Sequence, residues 1–237
     1  KSSPHRPGRS RDALVHVITH SNEPASRLIW IYSIAMGAYS GVNAILALLL
    51  ADRFGVTQKT IGFFLMYIGG IAVITRFFVL GWAVDRFGEA RLSRFGSGLL
   101  AIGLAALPFM HRLADPAALA ARFGGVPVAV VAIIPYLPLA LAVALIPLGT
   151  AFTFPCVTAL LSRVIPSSER GMYMGVQQTF GGAARVLFPA VAGWAFDRSL
   201  HLPFLVCAAL VAGTILLGLG MEEYTRPKRE PKAAPAA

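Results

Sequence analysis

The chain has 237 residues, of which 56% are hydrophobic and only 14% are charged, and its mean hydropathy is +0.67. Soluble domains carry about a quarter charged residues, so this composition excludes an ordinary soluble domain. The formal net charge of +10 lies mostly in segments between long apolar runs, which argues against a nucleic-acid-binding patch.

Six apolar runs are long enough for helices that cross a bilayer, which takes about 20 residues each. We therefore predict an all-α membrane protein with a six-helix bundle over 28–222. Residues 1–27 are polar and basic and are predicted to be a cytoplasmic linker with a short helix at 12–19. The tail, 223–237, is rich in Pro, Lys and Ala and is expected to be disordered. The predicted spans are 28–51, 60–84, 93–111, one within 135–162, 171–196 and 202–221, with an outer loop at 112–134.

The basic residues are distributed unequally between the two sides of this bundle. Of the 21 Lys and Arg residues, 14 lie in segments on the side of the two termini, five lie on the other side, and Arg76 and Arg185 lie inside spans. The positive-inside rule then places both termini in the cytoplasm. The expected location is the bacterial inner membrane.

One short motif occurs twice. Gly81-Trp-Ala-Val-Asp-Arg-Phe-Gly88 ends the second predicted span, and Gly193-Trp-Ala-Phe-Asp-Arg198 ends the fifth. Matching positions in two three-helix units indicate a duplication. Because each unit has an odd number of helices, the second copy is inverted relative to the first, a construction found in secondary transporters.

The loop motif carries a family resemblance. Gly81-x-x-x-Asp85-Arg86-x-Gly88-x-x-Arg91 resembles the loop signature of the major facilitator superfamily, although Glu89 and Ala90 stand where that family often has basic residues. Pro166-Ser-Ser-Glu-Arg170-Gly, with the residues up to Asp197, is similar to a later region of the same family. The resemblance implies that this chain is the C-terminal six-helix half of a twelve-helix transporter, with an N-terminal half as its partner.

The same resemblance assigns a latch to one end of the bundle. Asp85 is expected to face Arg163 and the N-terminal half, Gly81 to permit a close approach, and Gly88 to permit a tight turn. The residues of this expected gate are Gly81, Asp85, Arg86, Gly88, Arg91, Arg163 and Arg170. The competing interpretation is that Asp85 and Arg86 only mark a turn at the membrane interface.

Polar residues within the spans are candidates for a substrate cavity. Arg185 lies near the middle of a span, where a charge is costly, and no buried acid is expected in this chain to pair with it. The position of Arg76 fits two roles equally well: a substrate ligand, or a long side chain that reaches the membrane–water interface. The cavity candidates are Tyr32, Tyr39, Asn43, Thr150, Gln178, Arg185 and Arg76. The Tyr, Asn and Thr side chains could equally bond neighbouring helices or backbone.

We therefore expect half of a secondary transporter that moves a small molecule by alternating access, in contact with the lipid bilayer and without a cofactor. Proton-coupled export is the first version, with the proton-carrying acid in the other half. The alternatives are an organic-anion carrier that uses Arg185 and Arg76 as counter-charges, and a membrane scaffold on the same fold that transports nothing. No metal spacing, phosphate loop or activated nucleophile supports an enzyme.

Overall fold

The computed structural model describes residues 9–110 and 136–224, which contain helices and no strand. The predicted outer loop at 112–134 and most of the predicted tail lie outside the described residues. All six predicted spans appear as helices, preceded by the predicted short helix. The helices are α1 Arg9–Thr19, α2 Pro24–Phe54, α3 Ile61–Ile74, α4 Leu80–Phe87, α5 Glu89–Ala106, α6 Leu137–Val164, α7 Arg170–Phe196 and α8 Leu202–Leu217.

Two of the helices join into one span. A π-helical segment at Thr75–Val79 connects α3 to α4, so that Ile61–Phe87 runs without interruption. Within the described residues, four helical stretches are long and apolar enough to cross a membrane: Pro24–Phe54, Ile61–Phe87, Glu89–Phe109 and Leu137–Val164. Helix α7 has 27 residues but includes two arginines and two glutamines, and α8 has only 16 residues.

Helix ends follow local chemistry. Pro24 stands in the first turn of α2, where its missing N–H removes no helical hydrogen bond, so α2 begins before the predicted 28. Gly55 ends α2 in the left-handed conformation, with φ of 64°. Gly88 has φ of 76° and alone separates α4 from α5, so α5 begins at Glu89 rather than at the predicted 93.

The bundle packs in two close helix pairs, α5 with α6 and α2 with α7, and α8 lies against both α5 and α2. Glycines allow the first pair to approach closely. A Cβ atom at Gly149 would lie 2.6 Å from the Leu100 backbone nitrogen, and one at Gly96 would lie 2.8 Å from the Gly149 carbonyl oxygen. In the second pair, a Cβ atom at Gly37 would lie 2.5 Å from the Phe188 ring.

The Ile61–Phe87 span lies at the edge of this arrangement. It contacts α6 mainly through α3, and hardly any of it is buried. Phe77 and Phe78 remain 80% and 77% exposed. Such exposure is compatible with lipid or a protein partner and not with water.

Basic side chains form a hydrogen bond and an ion pair with the residues at the carboxyl end of α8. The Arg27 guanidinium donates to the Leu219 carbonyl oxygen at 2.8 Å, and Arg94 forms an ion pair with Glu222. Cations are favourable at a helix carboxyl end, where carbonyl groups lack helical donors. These contacts join the start of α2 and the first half of α5 to the same end of α8.

Candidate functional site

A cleft of about 510 Å³ opens where α2, the π segment, α6 and α7 meet. Its lining combines one cation, hydroxyl groups and apolar surface. The lining residues are Tyr32, Arg76, Phe154, Pro155, Thr158, Ala159, Ser162 and Met174. The cleft therefore brings together two of the predicted cavity residues, Tyr32 and Arg76, that are 44 positions apart in the chain.

Arg76 supplies the charge of the cleft. It stands second in the π segment Thr75–Val79, and π segments inside α-helices often occur at functional sites because they redirect a side chain. The side chain is exposed, and it forms no hydrogen bond or ion pair with any residue of 9–110 or 136–224. Its guanidinium donors are therefore available to a ligand in the cleft.

Tyr32 forms the wall of the cleft toward α7. The Tyr32 hydroxyl lies 3.3 Å from the Gln178 Nε2 atom and 3.4 Å from its Oε1 atom. Gly181 makes room for the ring, because a Cβ atom there would lie 2.6 Å from the Tyr32 Cε1 atom. The ring also meets Phe154 edge-on, with centroids 5.5 Å apart. These contacts fix the position of the Tyr32 ring. Because the Tyr32 hydroxyl contacts the Gln178 amide, Gln178 lies beside the cleft.

The hydroxyl groups on α6 already use their protons within the protein. Ser162 donates to the Ala159 carbonyl oxygen at 2.7 Å, and Thr158 donates to the Gln177 Oε1 atom at 3.5 Å. Gln177 is fully buried behind the cleft, and its Nε2 atom has no partner among the described residues. Thr158 and Ser162 therefore offer acceptor lone pairs, while Arg76 offers donors.

This arrangement suits a ligand that has an apolar body and a polar or anionic end. Phe154, Pro155 and Met174 provide the apolar surface, and Arg76 provides a site for an acceptor or a negative charge. A carboxylate or phosphate can accept two parallel hydrogen bonds from one guanidinium. In the described part of the chain, no three His, Cys, Asp or Glu side chains are grouped closely enough to hold a metal ion.

The remaining cavity candidates lie elsewhere. Arg185 is exposed on α7, beside Val186 and Leu187, which are 72% and 63% exposed, and it does not line the cleft with Arg76. Asn43 is exposed on α2, also outside the cleft. Tyr39 is half-buried, with its ring centroid 6.4 Å from that of Phe154.

Thr150 is the remaining candidate, and it is buried. Its hydroxyl donates to the Pro147 carbonyl oxygen at 3.1 Å. Thr150 therefore bonds backbone in its own helix and does not line the cleft.

The loop signature has a different geometry from the expected one. Gly88 makes the predicted turn, but a Cβ atom at Gly81 would meet nothing within 4 Å, so Gly81 permits no close approach to the described residues. Asp85, Arg86 and Arg91 are exposed. None of the three forms an ion pair with any described residue.

Arg163 pairs with Glu89 and not with Asp85, which corrects the expected contact. The Glu89 side chain is only 7% exposed, whereas that of Arg163 is 47% exposed, so the chain does contain a buried acid. Glu89 is buried beside Arg163 because the single-residue turn at Gly88 starts α5 at Glu89, so that the first turn of α5 packs against α6. Arg170 donates to the Ser162 carbonyl oxygen at 2.9 Å.

The second copy of the motif ends α7 as the first copy ends α4, each at the end of the second span of its unit. Here Arg198 stacks on Trp194, with its guanidinium carbon 3.6 Å from the ring centroid. Leu200 stands where the first copy has Gly88, and its φ is not positive. The two copies share a position in the fold but differ in how the chain turns.

None of the predicted cavity residues lies on the α6 side of the cleft. Phe154, Thr158 and Ser162 are spaced four residues apart and therefore share one face of α6. That spacing could have indicated the stripe. The π segment that turns Arg76 into the cleft has no such signal, because its register depends on packing.

Comparison with known proteins identifies the family to which the chain belongs. Residues 28–237 match the Major Facilitator Superfamily. The chain is similar to "Multidrug resistance protein 2" of Bacillus subtilis (strain 168), with 24% identity over 208 residues, which are 87% of this chain and 44% of that relative. The chain thus spans less than half the length of this curated relative, and no solved structure matches it. With its apolar helices and a family match over most of its length, the chain is an integral membrane protein that belongs to the Major Facilitator Superfamily of transporters.

Proposed function

We propose that this chain is the C-terminal half of a secondary transporter that exports a small amphipathic molecule by alternating access. The cleft at Arg76 carries the proposal, since it combines hydroxyl acceptors, apolar surface and a guanidinium without a partner among the described residues, where four helical elements meet. The relative named as a multidrug resistance protein supports export. We place the protein in the bacterial inner membrane with both termini in the cytoplasm, in accord with the distribution of basic residues.

A second half completes the proposed transport path. Phe77 and Phe78, which follow Arg76 in the π segment, are exposed apolar residues, and burial of these side chains against six further helices would enclose the cleft. If export is coupled to protons, the acid that carries them lies in the second half, because the only buried acid of the described residues, Glu89, is paired with Arg163.

Alternating access predicts that the cleft is open to one side of the membrane at a time. In the complete protein, with Cys156 and Cys207 replaced by alanine, Thr158→Cys and Gln178→Cys are expected to react with a membrane-impermeant maleimide from one side only. Transported substrate is expected to change the labelling rate several-fold. Leu141→Cys, at a 62% exposed position away from the cleft, is the control. Protection of both cysteines, at 158 in the cleft and at 178 beside it, in every condition would favour the scaffold that transports nothing.

Arg76 favours a second candidate, a carrier of organic anions. Arg76→Gln keeps side-chain length and hydrogen bonding but removes the charge, and it is expected to lower the transport of an anionic substrate by at least about tenfold, while Arg76→Lys retains part of the activity. The measurement is initial transport of a labelled aromatic carboxylate in proteoliposomes, with Arg53→Gln, at the end of α2, as the control. Equal rates for Arg76→Gln and Arg53→Gln would rule out this version and leave neutral or cationic substrates.

A further inference from the structure

A second cavity lies apart from the cleft, beside the Phe87 end of the Ile61–Phe87 span. It has a volume of about 380 Å³ and is lined by Val79, Trp82, Ala83, Phe87, Arg91, Leu92, Phe95 and Phe152. We call it the α4–α5 groove. The cleft draws its lining from α2, the π segment, α6 and α7, whereas the groove draws its lining mainly from α4 and α5. The two cavities share no residue.

The floor and walls of the groove are apolar. Trp82, Phe87 and Phe95 are 63%, 50% and 59% exposed, which is unfavourable for such large side chains in water. The Trp82 and Phe87 rings meet edge-on with centroids 6.1 Å apart, and the Phe95 and Phe152 centroids are 6.3 Å apart. One pair of rings therefore lines the α4 wall of the groove, and the other pair lines the wall formed by α5 and α6. Such an apolar surface suits a flexible hydrocarbon chain.

Arg91 is the only charged residue among those that line the groove. It is exposed and forms no hydrogen bond or ion pair with any residue of 9–110 or 136–224. It lies one turn into α5, three residues after Gly88, and therefore at the end of the groove nearest the turn between the two spans. The groove surface is almost entirely apolar, so Arg91 lines it with its aliphatic stem, and its guanidinium, unpaired among the described residues, is left to meet a negative group beyond the apolar surface. A ligand with a negative end and a long apolar body matches both parts.

The dimensions agree with one leaflet of a bilayer. From Val79 to Phe87 the span rises about 12 Å at 1.5 Å per residue. One leaflet of hydrocarbon is about 15 Å thick, so a groove of this length can hold part of one acyl chain. Basic pockets between transmembrane helices, close to the interface, are where anionic lipid head groups bind.

We propose that the α4–α5 groove binds one anionic phospholipid, with an acyl chain between the walls of Trp82 and Phe95 and its phosphate on Arg91. The charge of Arg91 selects an anionic lipid over a zwitterionic one. The apolar walls select a lipid over a free phosphate. This site is independent of the proposed substrate cleft, so its test does not depend on transport.

The test is native mass spectrometry of the complete protein in detergent, titrated with dioleoyl phosphatidylglycerol and, separately, with dioleoyl phosphatidylcholine. Arg91→Gln is expected to weaken the binding of phosphatidylglycerol about fivefold, which corresponds to about 1 kcal/mol for one basic residue near anionic lipid, and to leave phosphatidylcholine unchanged. Arg91→Lys is expected to stay within about twofold of the parent. Arg11→Gln, which removes an equal charge from α1, is the matched control.

Two further measurements test the acyl-chain part and the head-group part of the site separately. Phe95→Asn, at a position exposed enough to tolerate a polar side chain, is expected to weaken the binding of both phospholipids, because it removes apolar surface that contacts the acyl chain of either one. Glycerol 1-phosphate is expected not to displace the lipid. Equal losses for Arg91→Gln and Arg11→Gln would overturn the proposal. Displacement by glycerol phosphate, or a groove inaccessible to lipid because another protein segment fills it, would overturn it as well.

Discussion

Replacing Arg163 with alanine is expected to destabilise the protein by about 3 kcal/mol, whereas replacing its partner Glu89 with alanine is expected to cost about 1 kcal/mol. The difference follows from burial. Glu89 has a side chain 7% exposed, and without Arg163 it would remain as a charge with little access to water. Arg163 is about half exposed, and without Glu89 it can be solvated.

A double-mutant cycle isolates this asymmetry. The free energy of unfolding, measured by denaturant titration of the complete protein, gives the two single values and the value for Glu89→Ala with Arg163→Ala. The double variant is expected to resemble Glu89→Ala, because removal of the buried carboxylate also removes the penalty for its missing partner. Equal losses in the two single variants would contradict the assignment of Glu89 as the buried member.

The second large effect concerns the crossing of α5 and α6. Gly149→Ala is expected to destabilise the bundle by about 2 kcal/mol, although alanine is intrinsically the better helix former. The added Cβ atom would lie 2.6 Å from the Leu100 nitrogen and 2.7 Å from the Gly96 carbonyl oxygen. Both are backbone atoms, so relief requires the two helices to move apart.

Gly213→Ala is the matched control, since it makes the same change in α8 where a Cβ atom would meet nothing within 4 Å. Here the higher helix propensity of alanine is expected to leave stability unchanged or to raise it by up to about 1 kcal/mol. Thermal unfolding of both variants, followed by loss of monodisperse protein, compares them directly. A Gly149→Ala variant as stable as Gly213→Ala would show that α5 and α6 do not cross as closely as described.

Helix positions could be predicted well because the signal is local. The long apolar runs and the glycines and prolines that end them are readable along the chain. The errors also have local causes: Pro24 extends α2 toward the amino end, and Gly88 allows α5 to start four residues before the predicted position. A one-residue turn is difficult to predict, because charged residues on both sides of it suggest a longer loop.

The site could be predicted only in part. The sequence shows Tyr32 and Arg76 as polar residues in apolar surroundings, and these two residues meet in one cleft. Arg185, on the same criterion, lies outside that cleft on an exposed face of α7. The direction in which a side chain points around a helix depends on the register of the helix, and the π segment at Thr75–Val79 changes that register for Arg76.

By itself, the sequence determined that this protein resides in a membrane, which residues form its helices, and that its two three-helix units share a motif. These features can be read from the sequence because apolar length and turn chemistry are properties of consecutive residues. Only the tertiary structure decided which residues meet. It paired Arg163 with Glu89 instead of Asp85, joined Tyr32 to Gln178, and placed Arg76 and Arg91 in separate cavities. Such contacts join residues distant in the chain, and they depend on how closely glycines such as Gly96 and Gly149 let the helices approach.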